Sequence, residues 1–388
     1  MTPAERATRF PLGAAVTLVE LERDPHPTLA RLRSAEPVSW IPALEAWLVT
    51  RRDLAVEVMR DAPTYTVDDP RFSTARVVGP SMLSLDGPAH RAHRDPFAGA
   101  FRLAEVRARF TGLVERELER LLELVAPLGR AELRRDLAGP LSVATMVHAL
   151  GLGDTDPETA LGWYAAIVAD VTAITAGEPV TGSGARAFAE LREAVESAME
   201  HQSTLVAEAV CGLSPSEVAS NAGVLLFGGI ETTEAMIANA FLHLLSAPEQ
   251  VTAVRADRGL VNGVVEESLR LEPAAAVVDR YATRDASLGD VSISTGEMVT
   301  VSLAGANRDP EVFADPDRFD PTRANVSLQV AFAHGPHVCL GMHLARVEAR
   351  SALAATLERF PGLRLDPAHD AVVRGLVFRK PPELHVVW

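Results

Sequence analysis

Cys339 stands in the run Phe332-Ala333-His334-Gly335-Pro336-His337-Val338-Cys339-Leu340-Gly341, followed by Leu344-Ala345-Arg346 on an apolar-periodic stretch. A lone buried cysteine usually behaves as an inert small hydrophobe. Here Gly335 and Gly341 bracket the sulfur and permit a tight loop, and a helix begins directly after it. Backbone N–H groups at a helix start can hydrogen-bond a thiolate and lower its pKa, as a metal ligand requires. The other cysteine, Cys211, has no such glycine frame and reads as structural. A second set of reactive groups lies in Leu225-Leu226-Phe227-Gly228-Gly229-Ile230-Glu231-Thr232-Thr233. A carboxylic acid and an alcohol, Glu231 and Thr232, are neighbours beside two glycines that weaken a helix by about 1 kcal/mol each. Two explanations stand: close helix–helix packing at the glycines with the hydroxyls bonded to the preceding turn, or a groove where a flat ligand approaches the backbone.

Two charged pairs sit at helical spacing. Glu267-Ser268-Leu269-Arg270 puts acid and base at i, i+3 on a helix that must end before Pro273, and His90 and Arg94 share a face at i, i+4. By spacing alone, each reads as a solvated surface pair rather than a site, and a surface ion pair would contribute at most about 1 kcal/mol.

The elements that carry these groups are mostly helical. Ser214, Pro215 and Glu217 form a capping box, and no proline intervenes before Pro248. The predicted helix is roughly 50 Å long and must pass through the core. From Arg102 to Arg135, glutamate and arginine alternate around Leu113, Val114, Leu118, Leu121, Leu122 and Val125, predicting an amphipathic helix with a salt-bridged outer face. Strand character is confined to Pro37–Thr50 and to about Ala275–Val301. No repeat, low-complexity tract or Gly/Ser linker divides the chain, so residues 1–388 are expected to form a single domain.

Composition narrows the classes. The 388 residues are 47% hydrophobic and 23% charged, ordinary for a globular protein. A net charge of −15 lacks the basic footprint of a general nucleic-acid binder. Of the basic residues only Lys380 is a lysine. Two distant cysteines make neither a disulfide framework nor a CxxC pair. Neither a signal h-region nor the ~18 uninterrupted apolar residues of a membrane span is visible, so a soluble, cytoplasmic protein is expected, in which the Asn325-Val326-Ser327 sequon has no meaning.

The cysteine run resembles the ligand loop of the cytochromes P450, Phe-x-x-Gly-x-x-x-Cys-x-Gly with a helical Ala-Arg pair shortly after. Phe332, Gly335, Cys339, Gly341, Ala345 and Arg346 fit that signature, while Ala333 stands where many members have glycine. Glu267 and Arg270 match the Glu-x-x-Arg pair, and Glu231-Thr232 the acid–alcohol pair of the central helix, with Gly228 where alanine is commoner. The resemblance runs over nearly the whole chain. It implies a mainly α fold with a small β region and a triangular-prism outline, with haem b held between the central helix and the helix after the cysteine loop. Cys339 would be the axial iron ligand, with Gly228, Phe332, Gly335 and Gly341 around the cofactor. His90, Arg94, Arg280 and His337 would meet the haem propionates. Glu267 and Arg270 would form a buried pair locking the loop, with Arg318 as third member and the Asn307–Pro310 and Asp317–Phe319 segments alongside. Glu231 and Thr232 would relay protons during dioxygen activation.

The same resemblance implies hydroxylation or epoxidation of an apolar small molecule, with secondary metabolism as its setting. The pocket would be lined by Met82, Leu83, Ile174, Leu225, Val277, Val278, Val377 and Phe378. Electrons would come from NAD(P)H through a ferredoxin reductase and a ferredoxin docking near Arg102, Arg346 and Arg350. No nucleic-acid or membrane partner is expected, and the protein is expected to be monomeric. Two alternatives remain at this stage: a non-hydroxylating haem-thiolate enzyme and a catalytically silent haem binder.

Overall fold

The computed structural model describes residues 2–153, 155–175, 178–200, 205–209 and 212–388. Cys211 lies outside them. The central helix spans Pro215–Leu245, 31 residues or about 46 Å. Its N-terminus is closed as the sequence requires: Ser214 N–H donates to Glu217 Oε2 at 2.8 Å and Glu217 N–H returns to Ser214 Oγ at 3.4 Å. It is buried along most of its length and packs on helices Gly139–Leu150, Ser183–Met199, Val261–Leu271 and Met342–Arg359.

The long amphipathic helix covers Leu103–Val125, with Val106, Phe110, Val114, Leu118, Leu121, Leu122 and Val125 buried. It stops ten residues short of the predicted Arg135. Pro127 and Gly129 (φ 65°) turn the chain there, and strand β4 follows at Arg130–Glu132.

The first strand region folds as β1 (Val38–Ile41) and β2 (Ala46–Val49), and β3 is the short Tyr65–Thr66. The later region folds as β5 (Val277–Ala282), β6 (Ala286–Leu288), β7 (Val291–Ile293) and β8 (Met298–Ser302). One sheet runs in the order β1-β2-β8-β5-β3, with β2 and β8 parallel and Trp47 opposite Val299. A three-stranded sheet joins β4, β10 (His385–Val387) and β9 (Arg364–Leu365), and β6 and β7 form a hairpin. The strands around β4, β9 and β10 and the edge strand β3 are too short to show an alternating pattern in sequence.

Candidate functional site

Cys339 sits at the end of a loop whose shape is set by backbone contacts. Cys339 N–H donates to Phe332 O at 2.9 Å, Val338 N–H to Gly335 O at 3.1 Å, and Ala333 N–H to Val330 O at 2.9 Å. Gly335 has φ 75°, and a β-carbon there would stand 2.3 Å from Met59 O, so only glycine fits. Ala333 also has a left-handed φ of 60°, which costs an alanine about 1 kcal/mol relative to the glycine common in similar loops. Gly341 is the N-cap of helix Met342–Arg359, and the Gly341 and Met342 N–H groups point at the sulfur. Desolvation by the surrounding protein pushes the Cys339 thiol up, against those two N–H groups and the nearby Arg94 and Arg346, although the residue itself remains exposed.

Beneath the loop lies a network of buried charge. Glu267 and Arg270 are fully buried and doubly bonded, Arg270 Nε to Glu267 Oε2 and NH2 to Oε1, both at 2.8 Å. Arg270 also donates to Asn307 O at 3.0 Å, Pro316 O at 2.7 Å and Arg318 O at 3.2 Å. The third member is Arg323, not Arg318: Arg323 Nε donates to Glu267 Oε1 at 2.9 Å. Arg318 is exposed and contributes only its carbonyl, which the turn closed by Arg318 N–H on Asp315 O presents inward. Asn307 Oδ1 accepts from Val330 N–H at 2.7 Å, tying this network to the start of the cysteine loop. Arg346 pairs with Glu266, Nε to Oε1 at 2.7 Å, and lies over the Phe332 ring at 4.6 Å.

His90 and Arg94 lie on helix Gly87–Ala98, facing the other end of the loop. Arg94 NH2 donates to Val338 O at 2.6 Å. His90 is buried, its ring 4.3 Å from that of His337, and its Nε2 has no hydrogen-bond partner. Burial, with His337 and Arg94 adding to it, holds His90 down to about 4, so the ring is neutral at pH 7. His337 Nε2 is bonded to Asp86 Oδ1 at 2.8 Å. Burial raises Asp86, but hydrogen bonds from His337, Thr66 and Val67 outweigh it and bring the carboxyl to about 2. Arg280 on β5 is 4% exposed and donates to its neighbour's carbonyl, Asp279 O, at 2.7 Å, with no carboxylate within ion-pair distance among the described residues.

The two glycines of the central helix have different reasons. At Gly229 a β-carbon would stand 2.3 Å from Met146 Sδ, so this glycine serves packing. At Gly228 a β-carbon would meet nothing within 4 Å. Thr232 Oγ1 donates to Gly228 O at 2.6 Å, beside that open backbone. The carboxylate of Glu231 is taken up elsewhere, by Lys380 Nζ at 2.8 Å.

The chain is similar to known proteins over most of its length. A family model for cytochrome P450 matches residues 191–370. The cytochrome P450 monooxygenase PikC of Streptomyces venezuelae is 36% identical over 369 residues, covering 90% of this chain and 87% of that protein. Nocardicin C N-oxygenase of Nocardia uniformis subsp. tsuyamanensis is 34% identical over 98% of both chains. The chain belongs to the cytochrome P450 family. A crystal structure of P450BioI with an acyl carrier protein bearing hexadec-9Z-enoic acid superposes with a TM-score of 0.86 at 30% identity, covering 94% of this chain and 98% of that one. The mainly helical fold with small sheets is thus the P450 fold, and the protein is a P450 monooxygenase that uses haem iron and dioxygen.

The residues of this P450 fit haem on independent grounds. A buried neutral histidine whose Nε2 has no partner among the described residues, and a buried arginine in contact with none of their carboxylates, suit two carboxylates on one edge of a flat group. The open backbone at Gly228 suits its face, and Sγ of Cys339 with two N–H donors suits a metal ligand.

Five of the eight expected pocket residues belong to or pack against three separate apolar clusters. Met82, Leu83 and Leu225 pack together, and Met82 N–H is anchored to Asn221 Oδ1 of the central helix at 2.8 Å. Val277 packs against the cluster that holds Ile41, Leu48 and Ala304, while Val278 packs against the core that holds Trp47 and Val299. Phe378 meets Phe227 edge-on with ring centres 5.5 Å apart, and Val377 O accepts from Ala276 N–H at 2.8 Å. Ile174 is half-buried near the end of helix Pro157–Thr175. The proposed basic patch needs correction: Arg346 and Arg350 both bond Glu266, leaving Arg102 exposed but two of the three charges shared with an acid. Asn221, Arg323 and Lys380 were invisible to motif reading because each acts on a residue far away in sequence.

Proposed function

We propose that Cys339 Sγ is the axial ligand of haem iron in this P450 and that Thr232 and Glu231 handle the protons of dioxygen activation. The bound haem supplies the redox chemistry by which one atom of dioxygen enters a C–H or C=C bond of the substrate. The Gly341 and Met342 N–H groups stabilise the thiolate, and Arg346, stacked on Phe332 and paired with Glu266, holds the loop that carries it. His90, Arg94 and Arg280 hold the propionates; His337, bonded to Asp86, orients His90 through ring contact. Thr232 Oγ1, giving its own proton to Gly228 O, presents lone pairs that hold a water proton-donor in the groove, and Glu231 resupplies it.

The observation that carries this reading is the Cys339 loop-to-helix turn with its two N–H donors. The apolar character of Met82, Leu225, Val277 and Phe378 supports an apolar small-molecule substrate, and relatives that include mycinamicin IV hydroxylase/epoxidase and cyclomarin C epoxidase support secondary metabolism as the setting. We further propose one domain over residues 1–388 and electrons delivered from NAD(P)H by a ferredoxin reductase and a ferredoxin on the loop side, where Arg107 and His343 neighbour Arg346 and Arg350. We also propose that the protein works as a cytoplasmic monomer; no described helix is long and apolar enough to cross a membrane.

Replacing Cys339 with serine is the direct test. The red-shifted Soret band of the reduced carbon monoxide complex should vanish in Cys339→Ser and persist in Cys211→Ser; the opposite pattern overturns the ligand assignment. Thr232→Ala should retain haem and still consume NAD(P)H, with electrons leaving mainly as hydrogen peroxide. An unchanged ratio of product to NAD(P)H would leave Thr232 a packing residue only.

A further inference from the structure

The chain's one lysine is spent on the acid of the acid–alcohol pair. Lys380 Nζ lies 2.8 Å from Glu231 Oε1 and 3.3 Å from Glu234 Oε2. Glu234 has a second cation, Arg134 Nε at 2.6 Å, whereas Glu231 has no other partner among the described residues. Loosening Lys380 therefore leaves Glu234 satisfied and Glu231 alone free.

Lys380 is also mechanically tied to the pocket. It belongs to a hairpin closed by the Arg374–Lys380 bridge, turned at Gly375 (φ 115°) and joined by an isolated Ala275–Phe378 bridge to the chain just before β5. Phe378 and Lys380, two apart on this hairpin, project to one side of it and touch Phe227 and Glu231, four apart on one face of the central helix. One clasp thus has an apolar tooth in the pocket and an ionic tooth on the acid. Arg379, bonded to Glu272 at 2.7 Å, anchors the hairpin's other side, so displacement is directed at the Phe378 and Lys380 side.

We propose that Lys380 is a positioning residue that holds Glu231 out of the proton relay until a ligand pushes on Phe378, which opens the clasp and releases the carboxylate. This rests on the reading of Glu231 as proton donor to the Thr232 site. No bond to carbon changes in this step; an ammonium–carboxylate contact opens, and Glu231 exchanges it for contact with water in the groove.

Because the chain has one lysine, amine acetylation reports on the clasp directly. The holoprotein is pulsed with acetic anhydride and Lys380 labelling is scored by mass spectrometry against the chain's α-amine. An amine held between two carboxylates should label at least about fivefold slower in the wild type than in Glu231→Gln. Econazole, an azole that ligates haem iron and extends into the pocket, should close most of that gap in the wild type and leave Glu231→Gln unchanged. Phe378→Ala should close it without econazole. Labelling that is equal in wild type and Glu231→Gln, or that econazole does not move, overturns the proposal. With a surrogate ferredoxin system and no organic substrate, Lys380→Met should oxidise NAD(P)H severalfold faster than wild type and Lys380→Arg should not; equal rates in Lys380→Met and wild type also overturn it. The labelling result is independent of whether Thr232→Ala uncouples, so failure of the clasp and failure of the relay are told apart.

Discussion

At the scale of single residues, the adjacent glycines Gly228 and Gly229 separate two roles that look identical in sequence. Space beside Gly228 is open, so Gly228→Ala should gain roughly 0.5–1 kcal/mol from helix propensity while narrowing the groove. Gly229→Ala must displace the buried Met146 and should lose about 1–3 kcal/mol. Thermal melting of the two variants, with haem content read from the carbon monoxide spectrum, checks this; equal shifts would mean that the helix adjusts around both. The cysteine loop was legible because its contacts are local, ring by glycine by sulfur within ten residues. Packing against Met146 accounts for Gly229, whereas the space beside Gly228 is open, a difference that only the neighbour across the helix interface decides.

Among the elements, helix Val261–Leu271 is the support on which the cysteine loop rests. Its Glu267 receives two arginines, and losing either removes part of the charge compensation of a fully buried carboxylate together with the donor to three backbone carbonyls. Arg270→Ala and Arg323→Ala should both give little haem-loaded protein, whereas Arg318→Ala should give normal amounts, because only its carbonyl is used. Abundant holoprotein from Arg323→Ala would refute the assignment. The i, i+3 spacing of Glu267 and Arg270 announced their own contact, but it could not choose between Arg318 and Arg323, five residues apart in a segment without periodicity. Side-chain reach across a loop is decided by turn geometry, here the left-handed Asp315 (φ 45°). The same limit hid the link between Lys380 and Glu231, whose partners lie in different elements.

For the molecule as a whole, acid stability should reflect a desolvated, neutral histidine that is half-buried in the fold. His243, on the central helix, bonds Ser268 at 2.9 Å, and burial chiefly, with Arg308, His26 and Arg270 adding to it and Glu272 opposing, lowers it to about 4. A histidine that binds its proton less readily folded than unfolded contributes its full stability above its ordinary value of about 6.5 and loses it as pH falls toward 4. Between pH 7 and pH 5 this amounts to about 2 kcal/mol for His243. Urea unfolding of the holoprotein should show that loss in the wild type and a correspondingly smaller one in His243→Gln; identical losses would place the acid sensitivity elsewhere.

The five-stranded sheet is assembled from segments at opposite ends of the chain, with β1, β2 and β3 lying within residues 38–66 and β5 and β8 within 277–302. A two-stranded ribbon is marginal by itself in water. At about 5–20 residues per second, β1 and β2 must wait on the order of 10–50 s on the ribosome before β8 emerges to pair with them. Through that interval the partner edge of β2 and the apolar face of Trp47 are open to chaperones and to neighbouring nascent chains. The yield of this protein in a cell is therefore set as much by synthesis speed and chaperone supply over its middle two hundred residues as by the stability of the finished fold.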